Sequence, residues 1–323
     1  MRLGIVGYGN LGKSVEIAIT KNPDMELAAI FSRRPSSVIK TCIDVPVISI
    51  SNASDWRDRI DIMILCGGSA ADLPSQGPVF AKDFNTVDSF DTHALIPEYF
   101  NTMDRIAKEN GNISLISCGW DPGIFSLARS LFGSILPDGK DYTFWGKGVS
   151  QGHSDAIRQI EGVEDARQYT IPVDEALEAA RSDKQPSLTT REKHFRVCFI
   201  VPKKDADREV IRQAIVTMPY YFSDYNTTVT FITSEEMSLK HSALPHGGFV
   251  IRNGNTSDNV SQVAELSLKL DSNPQFTASV LVAYSRALFR MKNQGTTGAV
   301  TVLDIPVSYL SPLSGDELRK NLL

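Results

Sequence analysis

Arg2-Leu3-Gly4-Ile5-Val6-Gly7-Tyr8-Gly9-Asn10-Leu11-Gly12 opens the chain, and its reading decides the fold. Leu3 to Val6 is a short apolar run that turns sharply through Gly7 to Gly12. A helical segment from Lys13 to about Lys21 follows, then a second apolar run, Leu27 to Phe31, ending in Ser32-Arg33-Arg34. Strand, glycine turn, helix and strand in this order begin a dinucleotide-binding βαβ unit. Gly7 permits the tight turn, Gly9 lets the backbone approach a pyrophosphate, and Gly12 lets the helix pack close on the strand. The N-terminus of that helix offers unpaired N–H groups to phosphates. Glycines at this spacing also occur in ordinary strand-to-helix turns. The strand directly before them and the helix directly after them favour the dinucleotide.

The end of the second run says which dinucleotide. An NAD site usually has an acidic residue there for the ribose 2′-hydroxyl, whereas arginine accommodates a 2′-phosphate. Ser32, Arg33 and Arg34 offer a hydroxyl and two guanidinium groups, and the next acidic residue is Asp44. Guanidinium binds phosphate in bidentate fashion. The alternative is a solvated basic turn, but the pattern reads as NADP.

Strands and helices continue to alternate. Val45 to Ile50, Ile60 to Leu65, Asn85 to Asp88 and Ile113 to Cys118 read as strands, with helices over Asp72 to Lys82 and about Pro97 to Glu109. This is a doubly wound, Rossmann-type parallel sheet. Cys66, Gly68 and Ser69 follow a central strand at the carboxyl edge of the sheet, where ligands bind in open α/β folds. Asp121-Pro122 reads as a helix start, with Asp as N-cap and Pro as first helical residue.

Beyond about Asp141 the texture changes. Gly146 to Ser154 is a glycine-rich polar loop. Tyr142 to Trp145, Arg167 to Ile171, Phe195 to Val201 and Thr227 to Ile232 are strand candidates, and Asp174 to Arg181 and Asp205 to Met218 are helical. An α+β domain with a mixed or antiparallel sheet is expected, with Pro245 to Gly248 as a tight turn. Thr277 to Lys292 is a long amphipathic helix and Ala299 to Leu303 a strand, both suited to the first domain. The expected division is therefore residues 1–120, completed by about 274–323, as the dinucleotide-binding domain. Residues 121–273 form the other.

Bulk properties exclude several classes. With 323 residues, 42% hydrophobic and 22% charged, the chain is long enough for two globular domains. A net charge of −5 gives no basic field for nucleic acid. No run reaches the roughly 18 apolar residues of a membrane span, and the N-terminus does not read as a signal peptide. The cysteines, Cys42, Cys66, Cys118 and Cys198, are scattered, as in a reduced, cytoplasmic protein. Metal-ligand spacing is absent among the histidines (His93, His153, His194, His241, His246).

Two carboxylates, Asp91 and Asp121, each follow the carboxyl end of a first-domain strand, where a nicotinamide would sit. Paired acids suit a cationic group such as an ammonium. Asp121 serves equally as a helix cap, and Asp91 as a turn residue. Trp120 and Trp145 flank glycines in polar loops and read as pocket walls or as core. Thr170, Arg196 and His246 offer hydrogen bonds and positive charge for a carboxylate, or lie merely on a surface.

The segments GYGNLGKSVE, IFSRR, VDSFD, SCGWDPGIFS, FWGKGVSQGHSDA, LPHGG and LKLDSNPQFTAS together resemble the meso-diaminopimelate dehydrogenases over the whole chain. GWDPG and SQGHSDA are far more specific than the glycine fingerprint. The resemblance implies reversible, NADP-dependent oxidative deamination at the D-centre of meso-2,6-diaminopimelate, in the supply of lysine and peptidoglycan precursors. It implies that Asp91 and Asp121 hold the reacting amine, and that Trp120 and Trp145 line the pocket with Gln151 and Gly152. Thr170, Arg196, His246 and Asn273 would fix the distal L-centre. Tyr8 to Leu11 and Ser32 to Arg34 would bind the cofactor, and the molecule would be a homodimer whose second domain serves dimerisation and substrate binding. Lys147 and Gly67 depart from the family pattern but carry no motif role. Competing readings are another NADP-linked reductase or D-amino-acid dehydrogenase of the same fold, favoured by activity on ketones or cyclic imines, and a non-catalytic NADP(H) sensor, which would lack the acidic pair.

Overall fold

The protein is described by a computed structural model over residues 1–219 and 221–323. It packs as two compact units, Met1–Leu127 with Pro274–Leu323, and Ala128–Asn273.

In the first unit, β1 (Arg2–Val6) leads through the glycine turn into α1 (Asn10–Thr20) and then β2 (Glu26–Ser32), β3 (Val47–Ser49) and β4 (Ile62–Leu65). α2 (Leu73–Phe80), β5 (Thr86–Asp88), α3 (Ile96–Glu109) and β6 (Ile113–Leu115) follow, and α4 (Ile124–Ile135) carries the chain past Leu127 into the second unit. With the C-terminal strand that joins them, these make a seven-stranded parallel sheet in which β3, β2, β1, β4, β5 and β6 lie in that order. The order reverses between β1 and β4, so the ligand crevice of a doubly wound sheet lies beyond Val6 and Leu65.

Alternation along the buried strands sorts the core into two layers. Leu3, Ile5, Ile30, Ile62 and Ile64 face one side, with Val15 and Ile19 of α1. Val6, Phe31, Met63 and Leu65 face the other, with Leu73 and Phe80 of α2 and Met103 and Ile106 of α3. Every one of these is buried, which explains why the strands read as continuous apolar runs.

The second unit contains β7 (Gly139–Trp145), β8 (Gly148–Val149), α5 (Gln151–Arg158), β9 (Val163–Pro172), α6 (Asp174–Arg181), α7 (Thr190–Lys193) and β10 (His194–Pro202). α8 (Arg208–Val216), β11 (Asn226–Phe231), α9 (Ser234–Lys240), β12 (His246–Ser257) and β13 (Val260–Leu270) complete it. There are two sheets. One, ordered β11-β10-β9-β8, is mixed, because β10 and β11 run parallel while the other pairs are antiparallel. The other, ordered β13-β12-β7, is antiparallel throughout.

Three features of the second unit depart from what its sequence pattern predicts. Pro245 to Gly248 is not a turn: His246 begins the twelve-residue strand β12. Gly247 and Gly248 adopt φ +145° and +156°, and a Cβ on either would stand 2.1 Å from a carbonyl oxygen, of Leu268 or of Phe144. The glycines allow close strand packing rather than a reversal. Secondly, β12 and β13 form a long hairpin that was not expected. Thirdly, the loop expected over Gly146 to Ser154 holds β8 and then starts α5. Ser150 caps that helix by accepting from the His153 N–H, so Gln151 and Gly152 occupy its first turn.

The chain then returns to the first unit through α10 (Asn273–Asn293), β14 (Gly298–Val300) beside β6, and α11 (Gly315–Leu322). Leu281, Tyr284 and Leu288 of α10 bury against the face that α1 covers. Arg286, also buried, reaches Asp24 through Nε at 2.6 Å and Nη2 at 2.8 Å, and the Leu310 carbonyl at 2.7 Å. One guanidinium thus clamps the C-terminal segment to the α1–β2 turn. No described helix is long and apolar enough to cross a membrane.

The tightest constraint is at Gly12. A Cβ there would lie 2.1 Å from the Gly7 carbonyl oxygen, whereas a Cβ on Gly9 would meet nothing within 4 Å. Gly12→Ala is expected to lower unfolding free energy by about 1–3 kcal/mol, measured by denaturant titration. Gly9→Ala, with open space at a negative φ, should change it little.

Candidate functional site

In the first unit, the glycine turn, the end of β2 and the loop after β4 meet at the carboxyl edge of the sheet. Gly7, at φ +88°, donates to the Phe31 carbonyl at 2.9 Å, and Cys66 N–H donates to Val6 at 2.8 Å. α1 starts at Asn10, and no side chain caps it at Gly9. A pyrophosphate fits this end: the first-turn N–H groups need acceptors, and the space over Gly9 is open.

Tyr8 has a different part from its glycine neighbours. Its side chain is buried and donates to the Glu16 carboxylate, whose other oxygen accepts the N–H groups of Cys42 and Ile43 at 2.7 and 3.0 Å. Burial first, and then the hydrogen bond to Glu16 and its charge, push the Tyr8 phenol well above its usual range. Glu16 therefore pins the loop that follows the arginines, a role no motif announced. The backbone of Tyr8 is what faces the edge, and its carbonyl accepts from Arg34 Nη2.

Ser32, buried, accepts the Arg34 N–H at 3.0 Å. Arg33 reaches the other way, to Asp72 at 3.0 Å, and Asp72 in turn accepts the Gly68 N–H at 2.9 Å. Both guanidinium groups are exposed side chains lying across the edge beside the glycine turn and Cys66 to Ser69. Exposed pairs of this kind are weak, so a phosphate can recruit either arginine at little cost.

The two candidate carboxylates follow the ends of β5 and β6. Asp91 is exposed, and its N–H donates to Ser69 Oγ at 2.8 Å, joining it to the loop after β4. Asp121 is half-buried beside the buried Trp120, whose ring meets Phe125 edge-on at 5.2 Å. The expected capping role of Asp121 does not hold. Residues 119–123 fold back on themselves, with Gly119 and Trp120 bridged to Gly123. The Gly119 and Trp120 carbonyls accept the N–H groups of Ile124 and Phe125 at 3.0 and 2.7 Å, so the loop backbone starts α4 and Asp121 lies before the helix.

In the second unit the candidates gather around β8. Gly148 pairs with Thr170, and Thr170 pairs with Arg196 on the next strand. A Cβ on Gly148 would stand 2.5 Å from the His246 backbone, so this glycine gives His246 its place. Val149 N–H donates to the Pro245 carbonyl at 2.8 Å, and Asn273 N–H to the Leu244 carbonyl at 2.9 Å. Ser150 carries Gln151 and Gly152 directly onward. The fold thereby brings Thr170, Arg196 and His246 together around Gly148, with Gln151 and Gly152 in the first turn of the helix that follows and Asn273 bonded to the segment before His246.

Arg196 is the electrostatic centre of this group. Its side chain is buried, Nη1 donates to Thr170 Oγ1, and the guanidinium lies 3.9 Å from the Tyr225 ring centroid. Burial lowers its pKa, and Tyr225 offsets part of that. Its partners are a hydroxyl and an aromatic ring rather than a carboxylate. Arg196 Nε, Gln168 Oε1 and Thr227 Oγ1 are buried with no hydrogen-bond partner among the described residues, and Thr227 pairs with Arg196 across β10 and β11. A buried cation with unused donors is costly unless an anion completes it.

Two histidines that sequence reasoning left unassigned support this centre. Burial, with the Arg196 charge, holds His153 down to about 3, and its Nδ1 lies 2.6 Å from Ser150 Oγ. His194 is likewise held down to about 3 by burial, so Nε2 is free to accept the Trp145 N–H at 2.9 Å while the rings stack at 5.5 Å. Trp145 is set in place by His194. The signal for this was an alternating polar residue in a strand, too common to single out.

A Rossmann sheet of this strand order, with a glycine-turn phosphate site and basic residues ending β2, defines a pyridine-nucleotide oxidoreductase unit joined to a separate α+β unit. Comparison with known proteins narrows the class. Residues 119–272 match the diaminopimelic acid dehydrogenase C-terminal domain. The chain is 56% identical over 323 residues to the meso-diaminopimelate D-dehydrogenase of Ureibacillus thermosphaericus, covering 100% of this chain and 99% of that one. The chain belongs to the meso-diaminopimelate D-dehydrogenase family. Among solved structures, a six-residue variant of the Clostridium tetani E88 enzyme with DAP is 59% identical, with TM-score 0.95, covering 100% of this chain and 99% of the other. An engineered D-amino acid dehydrogenase bound to NADP+ is 44% identical, with TM-score 0.90 and the same coverage.

Replacing Arg33 and Arg34 together by Ala is expected to raise the NADPH Kd about 10–100-fold, the loss of one or two charged hydrogen bonds. The NADH Kd should stay unchanged, both read by fluorescence titration.

Proposed function

We propose that this chain oxidatively and reversibly deaminates the D-centre of meso-2,6-diaminopimelate with NADP. One water is consumed, and the products are L-2-amino-6-oxopimelate, ammonia and NADPH, supplying lysine and peptidoglycan precursor metabolism. The observation that carries the proposal is Arg196, a buried guanidinium with an unused donor among residues that each suit a carboxylate. The Clostridium tetani variant supports it: a Gln, a Thr, an Arg, a Pro, a His and an Asn are exchanged there. The same six residue types occur here, in the same order and at the same spacings, as Gln151, Thr170, Arg196, Pro245, His246 and Asn273.

NADP, held by the backbone of Gly7, Tyr8, Gly9, Asn10, Leu11 and Gly12, by Ser32, Arg33 and Arg34, and by the Cys66, Gly68 and Ser69 segment, supplies the hydride acceptor. This chain's own groups manage the substrate. Asp91 and Asp121 hold the amine of the D-centre, and one of them, or a water they hold, takes its proton so that the nitrogen lone pair is available. Trp120 and Trp145 wall the reacting carbon, with Gln151 and Gly152 beside it. Thr170, Arg196, His246 and Asn273 take the far L-centre, chiefly its carboxylate. Anchoring the far end presents only the D-centre for reaction, which gives stereochemical choice.

The protein acts in the cytoplasm as a homodimer, with the second unit serving dimerisation as well as substrate binding. The family resemblance supports this part.

Purified protein should form NADPH with meso-diaminopimelate and not with the L,L-isomer or with simple D-amino acids. Turnover of simple D-amino acids at comparable kcat/KM would defeat the anchoring argument, and no turnover of any would defeat the activity. Arg196→Leu should raise KM for meso-diaminopimelate about 10–100-fold, as expected for losing a charge-assisted pair.

A further inference from the structure

A third carboxylate, Asp88, ties together the two segments that carry Asp91 and Asp121. We propose that Asp88 is a positioning residue of the reaction, setting both site carboxylates through hydrogen bonds to the segments before them. The inference rests on the reading that Asp91 and Asp121 hold the reacting amine.

Asp88 ends β5 and has no solvent exposure. Its Oδ1 accepts the Phe90 N–H at 2.9 Å and the Ser117 N–H at 3.1 Å, and its Oδ2 accepts the Tyr99 hydroxyl at 2.8 Å. Its own carbonyl accepts the Cys118 N–H at 2.9 Å. Phe90 immediately precedes Asp91, and Ser117 and Cys118 lead through Gly119 to Trp120 and Asp121. One carboxylate therefore spans the ends of β5 and β6.

The surroundings hold that carboxylate in turn. The Phe90 ring stacks on Tyr99 at 4.3 Å. A Cβ at Gly77 of α2 would stand 2.1 Å from Tyr99 Oη, so that glycine makes room for the hydroxyl. Ser117 adopts φ +54°, a conformation that a non-glycine residue keeps only where its surroundings enforce it. The bond to Asp88 is an enforcing contact on its N–H.

The charge matters as well as the shape. Burial pushes the Asp88 carboxyl up to about 6, while the bonds from Phe90, Tyr99 and Ser117 act in the opposite direction. Among the described residues, Tyr99 on α3 and Cys118 on the segment after β6 are the other titratable groups that face it, and burial pushes both upward. As pH falls through about 6, Asp88 gains a proton and its N–H bonds lose their charge assistance, which makes such bonds roughly twice as strong as neutral ones.

The test is kcat against pH with meso-diaminopimelate for the natural protein and for Asp88→Asn, Tyr99→Phe, Asp91→Asn and Asp121→Asn. The natural protein should lose kcat below about pH 6. Asp88→Asn should show kcat lower by about tenfold or more, no inflection near that pH, and an unchanged NADPH Kd. Tyr99→Phe should move the inflection to higher pH, because it removes a bond that favours the charged carboxylate. A merely structural role would lower the melting temperature without moving the inflection. If Asp88→Asn fails to fold, the Tyr99→Phe shift decides alone. Asp88→Asn with natural kcat and inflection, beside inactive Asp91→Asn and Asp121→Asn, overturns this inference and leaves the site reading standing. Full activity in Asp91→Asn and Asp121→Asn overturns that reading and the inference with it.

Discussion

The carbonyl oxygen of Gly7 leaves no space for a side chain at position 12, and much of the first unit follows from that approach. α1 can lie against β1 only with hydrogen at that point. Its buried face, Val15 and Ile19, then seals one side of the sheet beside Leu281, Tyr284 and Leu288 of α10. The same approach aims the first-turn N–H groups of α1 at the edge where β1 and β4 part. Packing and phosphate binding are thus consequences of one steric fact. Arg286 extends the arrangement by fastening α10 to the turn that ends α1.

The second unit depends on a different device, a short edge strand that also bonds to the segment leading into β12. β8 is only Gly148 and Val149, yet it pairs with β9 on one side and takes the Pro245 carbonyl on the other. Gly148 has no side chain because the His246 ring and backbone occupy that space. Thr170, Arg196 and His246 thereby become neighbours. Arg196 rests on Tyr225, while burial keeps His153 and His194 uncharged at ordinary pH. A buried guanidinium among neutral imidazoles, hydroxyls and amides keeps an uncompensated positive charge that an anion would offset.

Family membership and site geometry reinforce one another. The resemblance gave roles to residues whose chemistry alone left alternatives open, such as Thr170 or Asp121. The geometry supplies reasons for residues that the resemblance passed over. Glu16 pins the loop after the arginines, His194 orients Trp145, and Asp88 joins the ends of β5 and β6. Glu16 and Asp88 are buried carboxylates with several hydrogen-bond partners, the kind that specifies one arrangement when every bond is satisfied, and buried His194 adds one bond and its ring stacking.

The opening βαβ unit, the alternation that makes a doubly wound sheet, and the basic end of β2 were legible in the sequence because their signals are local. A glycine turn, an apolar run and a helical period are read from residues within one element of each other. The leucines at 266, 268 and 270 alternate in the same way, and with the polar stretch after Asn253 they were the signal for the missed hairpin. Elsewhere the outcome lay with distant partners. Gly247 and Gly248 look like a turn until Leu268 and Phe144 are seen to pack against them, and Asp121 looks like a cap until residues 119–123 fold back to do that work with backbone carbonyls. The sequence by itself determined the fold class, the cofactor and the chemical kinds of the site residues, since these rest on local period and side-chain identity. Only the tertiary structure decided which of those residues share a neighbourhood and which buried groups hold them, because register and burial are set by strands that meet across long stretches of chain.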